Sequence, residues 1–174
     1  KLVKEGKIRK PKKLPPIEEE EKPFDIPKGW EWVRLGEIIR IYSGKGLTSK
    51  NMIVEGNIPV YGGNGITGYH NDYNIEKPTI VIGRVGFYCG SIHLVTEKAW
   101  ITDNAFITDY SEDNIYLNFL KYLLKGTNLR ENDNATAQPV ISGGKIYPII
   151  VALPPLAEQK RIVEKVDMIM DMLD

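Results

Sequence analysis

The sequence predicts an α+β fold: a mixed, glycine-rich sheet domain with short helices, followed by a C-terminal helix patterned like a coiled coil. Three observations carry this. Short β-branched runs cut by glycine fill the middle of the chain, a leucine-spaced helix follows them, and apolar residues at 162, 166, 169 and 173 step by four, three and four. With 174 residues there is enough chain to bury one real core.

The opening stretch, 1–27, sets Pro11, Pro15, Pro16, Pro23 and Pro27 among charges and reads as an extended linker, with folded structure beginning near Phe24. In "GWEWVRLGEIIRIYSG", Trp30 and Trp32 are followed by Leu35, Ile38 and Ile39 at helical spacing, which suggests a short helix running into a strand at Ile41. The runs at 58–63, 79–86, 91–95 and 105–110 are β-branched and bounded by turn residues, so they read as strands joined by long polar loops, with Thr102, Asp103 and Asn104 forming a turn. Leu117, Leu120, Leu123 and Leu124 share one helical face, and Gly126 is suited to end that helix. "YPIIVALPPL" reads as a last strand that Pro154 terminates. A helix then starts at Pro155 or Leu156, with Glu158 favourable near its positive end. Its seam is Ile162, Val166, Ile169 and Leu173, widened by Val163 and Met170, and the pattern is still running at the last residue. Such a helix either seeks a partner, in a longer chain or on another one, or folds back on its own domain; the pattern leaves both open.

Composition excludes several classes. A lone Cys89 cannot make an internal disulfide, and no cysteine–histidine cluster offers a zinc site, so a reducing, cytoplasmic setting is expected. No apolar run approaches the roughly 20 residues that cross a bilayer, and no membrane association is expected. Lys+Arg and Asp+Glu both count 23, which argues against a protein that simply coats phosphates. The balance is not local: 1–13 carry seven cations against Glu5, and 18–21 are acidic.

No catalytic constellation emerges. Gly44-Lys45 lacks the earlier glycine of a phosphate-binding loop, and "GGNGITG" misses the G-x-G-x-x-G spacing by one residue. Cys89 and His93 lack a third orienting group, His70 stands alone, and Glu158-Gln159-Lys160 sits in a helix start that the heptad pattern already explains. No metal site is expected. Polar loops remain. Lys45 and Lys50 lie in one, Tyr61, Gly63, Asn64 and Thr67 in a second, Arg84, Tyr88 and Ser91 in a third, Thr136, Gln138 and Ser142 in a fourth. Amides, hydroxyls and guanidinium groups suit the edges of bases. The same residue types also turn the corners of any sheet protein.

Several stretches together resemble the specificity (S) subunits of type I restriction-modification systems. "PIIVALPPLAEQKRIVEKVDMIMDMLD" is similar to the strand-to-helix junction of that family's central helix, and "FDIPKGWEWVRLGEI" to the opening of a target recognition domain. "IPVYGGNGITGY", "PTIVIGRVG", "AWITDNAFI" and "ATAQPVISGGKI" resemble, in order, landmarks within that domain. The resemblance implies a basic, proline-rich linker over 1–23, a DNA target recognition domain over 24–153, and the start of a spacer or dimerisation helix over 154–174. It further implies a non-catalytic chain that reads one half of a bipartite double-stranded DNA sequence, with no cofactor of its own. Modification (M) subunits would bring S-adenosylmethionine and methylate adenine; restriction (R) subunits would bring ATP and Mg for translocation and cleavage. A second recognition domain, or a second copy, would pair through the helix at Ile162, Val166, Ile169 and Leu173. The loops named above become the DNA-facing surface, with Arg84 the leading base contact because its small neighbours Gly83 and Gly86 permit close approach; a structural ion pair is the other role for it. The chain differs from a complete S subunit in holding one domain and the beginning of one helix. Two readings compete. A fused restriction or methyltransferase enzyme would need an Asn/Asp-Pro-Pro-Tyr/Phe motif, absent from these residues; a pure protein-interaction module would bind no duplex.

Overall fold

The computed structural model describes residues 13–130 and 140–173. Strand β1 (Glu31–Arg34) runs through a single helical turn, α1 (Leu35–Ile38), into β2 (Ile39–Ser43). Strands β3 (Ile58–Gly62) and β4 (Gly65–His70) make a hairpin, and β5 (Thr79–Gly83), β6 (Ile92–Val95), β7 (Trp100–Ile101) and β8 (Ala105–Tyr110) follow. Helix α2 (Leu117–Gly126), the turn α3 (Gly143–Ile146), β9 (Ile150–Leu153) and helix α4 (Leu156–Asp171) complete the order.

The strands pair as β2-β8-β5-β6, β4-β3-β7 and β1-β9. Every pairing is antiparallel except that of β3 with β7, where Val60 lies opposite Trp100 and Tyr61 opposite Ile101. The four-stranded sheet is the centre because β5, "TIVIG", is buried at all five positions. Alternate side chains of a strand leave opposite faces. Ile80 and Ile82 therefore enter one core with Leu120 and Leu124 of α2, while Val81 enters a second with Ile101, Ala105 and Ile107. Each buried Ile, Leu or Val side chain among these contributes about 1.5–3 kcal/mol. The two sheets are stitched where β2 ends: Gly44 donates to the Ala105 carbonyl at 3.1 Å and Lys45 to that of Ile101 at 2.9 Å. A Cβ at Gly44 would stand 2.3 Å from the carbonyl oxygens of Ile101 and Thr102, so the stitch requires glycine.

The structure departs from the sequence reading in two places. The tryptophans do not open a helix: Trp32 lies in β1, whose residues pair with β9 from Glu31 opposite Leu153 to Arg34 opposite Ile150. The helical spacing holds for α1 alone, and β2 starts at Ile39, two residues before Ile41. Strand β4, expected as polar loop, forms because its backbone pairs with β3 across a bulge at Val60/Tyr61, though Ile66, Thr67 and Tyr69 face solvent. The described part of the expected linker is tied to the domain: the buried Arg34 guanidinium donates to the carbonyls of Pro15 (2.9 Å), Pro16 (3.0 Å) and Pro148 (2.8 Å) and to the Glu21 carboxylate.

Helix α4 folds its first half back onto α2 through the buried Gln159 and Val163. Along the seam, Ile162 and Val166 are half-buried, whereas Ile169 and Leu173 are exposed.

Candidate nucleic-acid interface

Four segments meet at one open cleft of about 510 Å³. The loop after β2 brings Leu47, Ser49 and Met52, and the β3–β4 turn brings Gly62 to Thr67. The β5–β6 loop brings Val85 to Tyr88, and the β7–β8 turn brings Thr102 and Asn104. Among the described residues, none of those lining the cleft carries a charge.

Glycines set how closely these segments approach. A Cβ at Gly83 would lie 2.2 Å from the Gly63 carbonyl oxygen and 2.5 Å from Ser91 Oγ, so the end of β5 packs directly on the β3–β4 turn. Ser91 completes the contact by donating to that same Gly63 carbonyl at 2.8 Å. Within the β5–β6 loop, Gly90 donates to Gly83 (2.8 Å), Cys89 to Gly86 (3.0 Å) and Ser91 to Tyr88 (3.0 Å). Gly86 and Gly90 take φ of +86° and +89°, a left-handed conformation that glycine adopts without a Cβ penalty. Cys89 is buried beneath the loop, and Val85 pairs with Val140 at its side.

The sequence-derived candidates divide. Gly63, Asn64, Thr67 and Tyr88 line the cleft, and Asn64 and Thr67 are exposed. Lys45 and Lys50 are exposed beside it without lining it; the Lys45 ammonium rests 5.4 Å from the centre of the Trp100 ring. Tyr61 is half-buried with its ring 6.3 Å from that of His93, and burial, then the Glu97 charge, raises its hydroxyl above the usual tyrosine value. Ser91 supports the turn from below. Arg84 is not among the residues lining the cleft: its Nη1 reaches the Asp103 carbonyl at 3.3 Å and Ser43 Oγ at 3.5 Å, and its guanidinium lies 5.4 Å from the centre of the Phe106 ring. Its backbone joins β5 to its surroundings, donating to Asn104 and accepting from Ile141. Ser142 lies outside the cleft and opens α3, its carbonyl accepting from Lys145 and Ile146. Thr136 and Gln138 fall outside the described residues.

Cys89 and His93 do not compose a nucleophilic pair: Cys89 is part of the core, and His93 Nε2 faces Ser91 Oγ at 3.2 Å. Burial, aided by the Lys125 charge, holds His93 below the ordinary histidine value. Sequence reasoning missed Phe87, which is 85% exposed at the cleft rim with its ring 5.1 Å from that of Tyr88. The available signal was an aromatic pair directly after Gly86, in a loop bounded by Gly83 and Gly90.

Comparison with known proteins supports a common origin for this architecture. A family model for the type I restriction modification DNA specificity domain matches residues 27–173. The specificity subunit of the EcoAI type I restriction enzyme from Escherichia coli is 59% identical over 49 residues, 28% of this chain and 8% of that protein. The EcoDI specificity subunit, also from Escherichia coli, is 30% identical over 146 residues, 82% of this chain and 31% of that one. The S subunit structure from the M. genitalium type I system superposes with a TM-score of 0.72 at 17% identity, over 85% of this chain and 41% of that chain, which establishes the shared fold. This chain therefore spans less than half the length of each of these relatives. With the family pattern running from residue 27 to residue 173 and the fold superposing over the same body, the chain belongs to the DNA specificity domains of type I restriction-modification systems.

Proposed function

We propose that this domain reads one half of a bipartite double-stranded DNA target and so directs adenine methylation and ATP-dependent cleavage carried out by partner subunits. The observation that carries the reading is the uncharged, glycine-packed cleft in which loops from four segments present Asn64, Thr67 and Tyr88 together. Neutral amides, hydroxyls and aromatic rings can discriminate base edges, and cations add sequence-independent attraction to the phosphates. The flanking Lys45 and Lys50 supply these cations and would set register along the backbone. The domain itself performs no chemistry; S-adenosylmethionine, ATP and Mg act in the M and R subunits. Residues 24–153 are the recognition body and 154–174 the start of the spacer, which pairs through Ile162, Val166, Ile169 and Leu173 with a second recognition domain or a second copy.

The test is co-purification with the cognate M subunit, then methylation of a randomised DNA library and sequencing of the modified sites. A bipartite motif with methylated adenine is expected. A symmetric motif means that two copies pair, and an asymmetric one that a different domain reads the other half. A protein that forms the complex yet yields no motif overturns the reading.

A further inference from the structure

We infer that Phe87 and Tyr88 form an apolar notch that receives the C5-methyl group of a thymine, which makes Phe87 a specificity-determining residue; this rests on the DNA-reading function proposed above. Phe87 is 85% exposed and Tyr88 54% exposed, and both line the cleft. A large apolar side chain left in water by a loose loop would collapse onto the surface. This loop has little freedom to collapse: the backbone bonds from Cys89, Gly90 and Ser91 close it on itself, Cys89 is anchored in the core, and Val85 is bridged to Val140.

The two rings meet edge to face, 5.1 Å apart at 86°. A flat ring standing alone would offer a plate for stacking; two perpendicular rings form a corner with apolar walls. Across the cleft, Ile66 is 52% exposed and Met52 adds a thioether. Phe87, Tyr88, Ile66 and Met52 make this part of the lining apolar, and an apolar wall favours an apolar group over a phosphate. Base edges are the neutral part of DNA, and thymine is the base that offers an apolar group in the major groove. Asn64 and Thr67, in the same cleft, can hydrogen-bond to the edge that carries the methyl.

The experiment uses the complex with the cognate M subunit and the motif that library methylation returns. Each thymine of the half-site is replaced in turn by deoxyuridine, which removes the methyl and nothing else. At one position the unsubstituted complex should bind about four-fold more weakly, the loss that one buried methyl implies. Phe87→Ala should bind thymine and uracil duplexes equally and leave the salt dependence unchanged, because no ionic contact is lost. Phe87→Leu, which keeps an apolar contact, should retain part of the discrimination. A complex that loses no affinity at any thymine-to-uracil position overturns the inference, as does a Phe87→Ala complex that still prefers thymine. A 2-aminopurine signal for base unstacking that vanishes in Phe87→Ala would make the residue a wedge and likewise overturn it. In each of these cases DNA reading survives; a complex that selects no sequence at all removes both.

Discussion

Gln159, fully buried in the first turn of α4, accepts a 2.8 Å hydrogen bond from the backbone N–H of Tyr116, the residue that precedes α2. Its amide nitrogen donates at 2.9 Å to the Asn114 carbonyl and at 3.0 Å to that of Pro154. One side chain thus fixes the start of α4 against the start of α2 and satisfies the backbone at both. Further along the same pair of helices, the Tyr122 hydroxyl donates to the Asp167 carboxylate, which holds that hydroxyl above the ordinary tyrosine value. The direction in which α4 leaves the domain, and with it any spacing the helix sets, depends on these contacts.

Gln159→Leu should therefore destabilise the fold by roughly 2–4 kcal/mol, since three buried hydrogen bonds are lost and their backbone partners are left without one. Gln159→Glu should also be costly, because a carboxylate cannot donate to the two carbonyls. Urea denaturation of each variant measures the loss; stability within 0.5 kcal/mol of the parent would show that water replaces the amide.

Arg34 is 4% exposed and is the hub of the contact between the proline-rich segment and the sheet. Replacing it by methionine keeps much of the buried stem but removes charge-assisted bonds to three carbonyls, for an expected cost of roughly 2–4 kcal/mol. Glu21→Gln should cost less, because Glu21 sits at the surface. Proteolysis before Trp30 should accelerate strongly in Arg34→Met and weakly in Glu21→Gln.

The same pair predicts an acid response. The Glu18 backbone N–H, and then the Arg34 guanidinium, hold the Glu21 carboxyl below its ordinary value of 4.5. A folded value below the unfolded one means that the unfolded chain binds the proton more readily, so the contribution of Glu21 is complete above about pH 4.5 and is lost as pH falls through the folded value. A pH series of thermal melts should show this loss in the parent, and the loss should be shallower in Glu21→Gln.

Two glycine substitutions separate packing from backbone strain. Gly83→Ala would place a methyl 2.2 Å from the Gly63 carbonyl oxygen and should prise the β3–β4 turn from β5, lowering stability and sequence selection together. Gly86→Ala has open space around it and pays for its +86° φ alone, roughly 1–2 kcal/mol. A Gly83→Ala variant that folds and selects DNA like the parent would show that the two loops need not touch.

Lys45→Ala and Lys50→Ala should weaken binding by a similar factor on every duplex and reduce the salt slope by about one for each phosphate contact removed. Loss confined to the preferred sequence would instead make the residue a base contact. Fluorescence anisotropy over a salt series distinguishes the two.

Local pattern was sufficient where an element carries its own reasons. The β-branched runs of β5 and β8, the leucine face of α2 and the Pro-bounded start of α4 are legible because burial period and breakers lie within a few residues of each other. Strands β1 and β4 are not, because each is a strand through its partner: β1 needs β9 from the far end of the chain, and β4 is a largely exposed edge held by β3. The loops could be named from their residue types, and Gly63, Asn64, Thr67 and Tyr88 do share the cleft. Which backbone touches which was invisible, since it turns on absent Cβ atoms at Gly44 and Gly83 facing residues distant in sequence. Arg84 illustrates the difference most directly. Its small neighbours mark it as a base-contact candidate, and only the fold shows its guanidinium against the Phe106 ring and near the Asp103 carbonyl, with Phe87, three residues on, in the cleft lining. Residue chemistry and spacing are written along the chain, but the direction in which a side chain leaves the surface is set by long-range pairing that no local window contains.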